Sequence, residues 1–76
     1  MTEQEWINIF ADNLRDILKE YGYTQDEFAD SINATRSTIN RYLNKQQMPS
    51  LKNAINMSLE LGISMDELFI FDSRVN

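Results

Sequence analysis

Apolar residues in this chain recur every third or fourth position in short stretches, each bounded by a helix-start or helix-stop signal, and nowhere alternate at period two. Several short amphipathic helices around one core satisfy that pattern; a sheet does not. The first stretch is Trp6, Phe10, Leu14, Ile17, Leu18 and Tyr21, and Gly22 stops it, because glycine takes the left-handed conformation cheaply. Thr24-Gln25-Asp26-Glu27 reads as a capping box, in which hydroxyl and carboxylate satisfy the free amides of a helix start. Phe28, Ala29 and Ile32 form the inner face of that second helix. Asn33-Ala34 is a turn, since asparagine tolerates left-handed backbone. Thr35 caps a third helix running to Leu43, with Asn44 expected to take the closing glycine's part. After the polar loop Lys45–Pro49, Ser50 caps a fourth helix with Leu51, Ala54, Ile55, Leu59 and Leu61 as its apolar positions, stopped by Gly62. Ser64-Met65-Asp66-Glu67 is a second capping box, opening a short fifth helix with Leu68 and Phe69 inside. The tail from Asp72 to Asn76 is expected to fray. The expectation is an all-α, five-helix domain: a single unit over residues 1–76 with its core at about 6–71.

Composition narrows the chemistry. With no cysteine there is neither disulfide nor thiolate site, and with no histidine the commonest metal ligand and general base are missing. Asp26, Glu27 and Asp30 are the one acidic cluster suggestive of a metal, and they read better as complements to a helix start and a solvated face. An enzyme and a cofactor are therefore not expected. Apolar runs are too short to span a bilayer, and the acidic start Met1–Glu5 is unlike a secretory signal, so a cytoplasmic location is expected. The net charge of -5 is unevenly spread. Residues 1–30 hold eight acids against Arg15 and Lys19, and residues 53–76 hold four against Arg74. Residues 31–52 carry Arg36, Arg41, Lys45 and Lys52 with no acid at all. A local basic stripe keeps a local potential on an acidic body, because salt screens charges beyond roughly 10 Å.

That stripe centres on the third helix. Ile39, Tyr42 and Leu43 share one face, while Arg36, Ser37, Asn40, Arg41 and Asn44 share the other. The outer five can all donate hydrogen bonds, and none is acidic or bulky and apolar. Reading base edges in a groove requires donors, positive charge for phosphates and no carboxylate aimed at them; a merely solvated polar face would look much the same.

The surrounding register separates the two readings. Leu14-Arg15, Tyr23-Thr24-Gln25-Asp26-Glu27-Phe28-Ala29, Ile32-Asn33, Thr38-Ile39, Pro49-Ser50-Leu51 and Leu61-Gly62-Ile63-Ser64-Met65-Asp66-Glu67-Leu68 together resemble the lambda-repressor-like helix-turn-helix family of phage repressors, Cro proteins and XRE-type regulators. The similarity spans roughly residues 9–69, with the helix-turn-helix at 24–44. It implies a small transcriptional regulator that binds a double-stranded DNA operator, with the third helix in the major groove and the second across the backbone. Carried over by position, Arg36, Ser37 and Arg41 would read bases, Gln25 would donate to a phosphate, and Asn40, Asn44 and Lys45 would lie near flanking phosphates.

Three departures stand out. The turn glycine of many relatives is Asn33 here. An arginine on the first helix and a glutamate after the third, paired across the core in many relatives, are Leu18 and Leu43, which are expected to touch. The overall acidity should weaken nonspecific DNA binding. The family also holds antitoxins and adaptor-like members, so a protein-interaction module that keeps the fold is the alternative, its acidic first block facing a basic partner. A homodimer is expected through the C-terminal region, with Ile70 and Phe71 turned outward and Leu68 and Phe69 packed inside. With no room for an inducer-binding domain, regulation is expected to come from abundance, dimerisation or another protein.

Overall fold

The computed structural model describes residues 1–70. Five helices follow in order: α1 Glu3–Tyr21, α2 Gln25–Ser31, α3 Arg36–Leu43, α4 Leu51–Leu61 and α5 Glu67–Ile70. The architecture is all-α, as expected. Among the described residues, α1 packs on α3 and α5, and α2 packs on α3. One cluster of buried side chains takes residues from every helix: Phe10, Leu14, Ile17, Phe28, Ile39, Tyr42, Met57 and Leu68 lie at its centre.

Local chemistry explains each boundary. Thr24 accepts from the Glu27 amide at 3.1 Å while the Glu27 carboxylate accepts from the Thr24 amide at 2.9 Å, closing the capping box. An equivalent box, unforeseen from sequence, starts α1: Thr2 accepts from the Glu5 amide at 3.1 Å and Glu5 from the Thr2 amide at 3.0 Å. These amide bonds hold both carboxyls below their ordinary value of 4.5. Thr35 and Ser50 cap α3 and α4 through the amides of Thr38 and Asn53. At Ser64 the box is half made: the Glu67 carboxylate receives the Ser64 amide and hydroxyl at 3.5 and 3.4 Å.

Four helices end alike. A residue of positive φ follows the helix, and the amide after it reaches back to a carbonyl in the last turn. The four are Gly22, Asn33, Lys45 and Gly62, at φ 75°, 59°, 62° and 67°. The closing bonds run Tyr23 to Leu18, Ala34 to Ala29, Gln46 to Arg41 and Ile63 to Ser58. Asn33 therefore does what a turn glycine would. Asn44 does not: it is right-handed at φ -89°, and Lys45 turns the chain instead. The third helix simply closes one residue later than the sequence suggests.

Two apolar stripes also need correction. On α1 the buried set is Ile7, Phe10, Ala11, Leu14, Ile17 and Leu18, while Trp6 and Tyr21 lie at the rim, 39% and 43% exposed. On α4 the inner face is Ala54, Met57 and Leu61. Leu51, Ile55 and Leu59, expected with Ala54 and Leu61 as the apolar positions of this helix, are 69%, 41% and 76% exposed. Helix α4 carries apolar residues on two faces, and only one of them meets the core.

Leu18 and Leu43 are both buried members of the central cluster, and among the described residues no charged side chain is buried. Two apolar side chains thus stand where the resemblance implies an ion pair, a replacement that is often neutral or stabilising when both partners change. Leu68 is fully buried and Phe69 half-buried, as expected. Phe69 packs edge-on against Trp6 and tilted against Phe10, both with centroids 5.7 Å apart. Phe71 and the tail after it lie outside the described residues.

The capping box yields a prediction. Thr24→Ala should cost about 1 kcal/mol of stability. Because Glu27 has a lower pKa folded than unfolded, its stabilisation is complete above about pH 4.5 and is lost as the pH falls through the folded value. Thermal melts from pH 7 to 3 should therefore decline less steeply in Glu27→Gln than in the wild type.

Candidate nucleic-acid interface

The eight residues of α3 split cleanly. Ile39, Tyr42 and Leu43 are buried, and the Tyr42 ring meets Phe10 edge-on at 5.5 Å. Its hydroxyl accepts from the Asn53 side-chain amide at 2.8 Å, anchoring α3 to α4. Arg15 donates to the Leu43 carbonyl at 3.3 Å, tying the end of α3 to α1. With its inner face, N-cap and C-terminus all held, α3 presents its outer side chains from a rigid base.

Arg36, Ser37, Asn40, Arg41, Asn44 and Lys45 are all exposed. The Arg41 guanidinium lies along the helix, donating to the Ser37 hydroxyl at 3.1 Å and the Thr38 hydroxyl at 3.4 Å. That fixes the most central cation of the face without neutralising it. Gln25 is half-buried at the start of α2, and its Oε1 is turned in without a hydrogen-bond partner.

Two of these cations meet acids that sequence reasoning did not pair with them. The Arg36 guanidinium stands 3.5 Å from Asp26, bridging the starts of α2 and α3. The Lys45 ammonium stands 3.6 Å from Asp12 on α1. Both pairs are well exposed, so each contributes little to stability and breaks cheaply. Asp26 was legible only as a complement to its own helix start; its approach to Arg36 depends on how α2 and α3 cross. Asn44 and Lys45 close α3 and stand at the end of the face, apart from the Arg36–Asp26 end.

Among the described residues no cluster of acids could hold a metal ion, and no helix is long and apolar enough to cross a membrane. What the arrangement offers is a rigid, acid-free helix face of donors, backed by a second helix whose capped start lies beside it.

Two helices joined by a tight turn, the second presenting a polar face, define a helix-turn-helix. The chain belongs to the helix-turn-helix family HTH_3, whose model matches residues 14–68. It is similar in structure to the restriction-modification controller protein C.AhdI from Aeromonas hydrophila, at a TM-score of 0.77 and 27% identity over 83% of this chain and 96% of that one. It is also similar to a hypothetical transcription factor, NHTF, from Neisseria, at a TM-score of 0.79 and 25% identity over 90% of this chain and 76% of that one. An HTH_3 family transcriptional regulator from Vibrio cholerae shares the fold at a TM-score of 0.83 and 16% identity, with 97% of this chain matching 42% of that one. No curated protein matches the sequence.

Proposed function

We propose that this chain binds double-stranded DNA sequence-specifically as a small transcriptional regulator of phage-repressor or Cro type, with α3 in the major groove. The observation that carries the reading is the outer face of α3: Arg36, Ser37, Asn40, Arg41 and Asn44 exposed together, all donors, on a helix without an acid. Membership of the helix-turn-helix family and the likeness to a controller protein and a transcription factor support it. In this reading Arg41 and Arg36 take guanine O6 and N7, Ser37 reads a neighbouring edge, Gln25 holds a phosphate, and Asn40, Asn44 and Lys45 meet flanking phosphates. One such module reads only a few base pairs, so the working unit is a homodimer on a two-fold operator, joined through the C-terminal region.

Sequencing of DNA fragments selected by the purified protein, followed by a gel shift against random competitor, tests the reading. Recovery of a shared, two-fold motif is expected; equal binding of all fragments, or of none, would sink it. The pairing of Arg36 and Lys45 with acids favours a second reading, a protein-interaction module with a blunted DNA face. Capture of a partner protein with no shift of genomic fragments would select that one.

Two further results are expected. Asp26→Asn frees Arg36 and removes a carboxylate beside the phosphates, so operator affinity should rise about twofold to fivefold, an exposed pair being worth under about 1 kcal/mol. A fall in affinity would mean that Asp26 positions Arg36 for binding. The salt dependence should also be shallow, with a slope of log K against log salt on the order of -2 to -4 per monomer, since few cations are available. A slope near -8 would require a basic surface far larger than this one.

A further inference from the structure

We propose that Leu51, Ile55 and Leu59 on the outer face of α4 form the two-fold contact with a second copy of this chain, the two α4 helices running antiparallel with Ile55 against its symmetry mate. This rests on the homodimer reading above and names its surface. The three side chains are 69%, 41% and 76% exposed and stand at i, i+4 and i+8, a continuous line over two turns. Single exposed apolar residues are ordinary; three in register on one helix are a patch. They are no remnant of the core face, because α4 already commits Ala54, Met57 and Leu61 to the core.

The occupant follows from symmetry and charge. A two-fold interface uses the same patch on both copies, and the order Leu-Ile-Leu reads the same from either end. Antiparallel α4 helices set Leu51 against the second copy's Leu59, about 12 Å along the helix from its own Leu59. Lys52 and Glu60 each follow a stripe leucine by one residue and are both exposed on the same flank. In the antiparallel pair Lys52 comes beside the second copy's Glu60, twice; a parallel pair would set like charges together. Glu60 already accepts the Tyr23 hydroxyl, and a carboxylate has capacity for both. The result is an apolar centre with a charged polar rim. Ile70 instead ends a four-residue helix and lines an open hollow together with Trp6, Met48 and Phe69.

The chain contains no cysteine, so crosslinking is clean. Under mild oxidation Ile55→Cys should crosslink to itself. Leu51→Cys and Leu59→Cys should each stay uncrosslinked alone and form a heterodimer when mixed. In sedimentation without DNA, Lys52→Glu should weaken self-association about tenfold, and Lys52→Glu with Glu60→Lys should restore it to within about twofold. Circular dichroism confirms that each variant keeps its helices. Self-crosslinking of Leu51→Cys, a charge swap that does not restore association, crosslinking only through Ile70→Cys, or a wild type monomeric at high micromolar concentration would each overturn the interface. Because no DNA enters the experiment, this dimer can stand while operator binding fails, or fall while it holds.

Discussion

Replacing Arg36 and Arg41 together by alanine should reduce affinity for the selected operator by at least about a hundredfold while leaving the helical content unchanged. Each well-placed arginine on a guanine is worth about 1–3 kcal/mol of discrimination, and two such losses compound. Neither side chain touches the core: both are exposed, and their partners Asp26, Ser37 and Thr38 are surface groups of α2 and α3. The two should not be equal. Arg36 must leave Asp26 to reach a base, whereas Arg41 is held only by hydroxyls that it keeps or exchanges freely. Arg41→Ala should therefore cost more than Arg36→Ala. Gel shifts on the selected site, with circular dichroism beside them, decide the matter; unchanged affinity in both single variants removes α3 from the interface.

The largest effect on stability is expected from Phe10→Ala. Phe10 is fully buried where α1, α3 and α5 meet, with Tyr42 and Phe69 at 5.5 and 5.7 Å. Removing a buried phenylalanine costs about 3–5 kcal/mol, most of what a domain of this length has to spare. The melting temperature should fall by on the order of 20 °C, or the chain should not fold. Tyr21→Ala on the same helix, at a position 43% exposed, should stay within about 0.5 kcal/mol of the wild type. Similar losses at the two positions would contradict the face assigned to α1.

The contrast between Phe10 and Tyr21 marks what local sequence can resolve. Thr24 with Glu27, Gly22, Gly62 and Asn33 were legible because caps and left-handed closures depend on a residue and its next three or four neighbours. The inner face of α3 was legible because its apolar residues occupy one side only. Helix α4 was not: Leu51, Ile55 and Leu59 obey the same helical spacing as Ala54, Met57 and Leu61, and only packing against the other helices chooses between them. Asn44 failed by one residue, since the helix ended where Gln46 could reach the Arg41 carbonyl, leaving the positive φ to Lys45. On the site, sequence placed the donors on one exposed face. It could not supply the Arg36–Asp26 and Lys45–Asp12 pairs, which depend on tertiary approach between helices.

If the outer face of α3, backed by the start of α2, reads DNA, an operator duplex must perturb that face first. Isotope-labelled protein titrated with the selected operator duplex reports this residue by residue, through the backbone and arginine side-chain resonances. The largest shifts are expected at Gln25, Arg36, Ser37, Asn40 and Arg41, with smaller ones at Asn44 and Lys45 and little change on the outer face of α1. Shifts concentrated on the acidic face of α1, with α3 unmoved at saturating duplex, would contradict it.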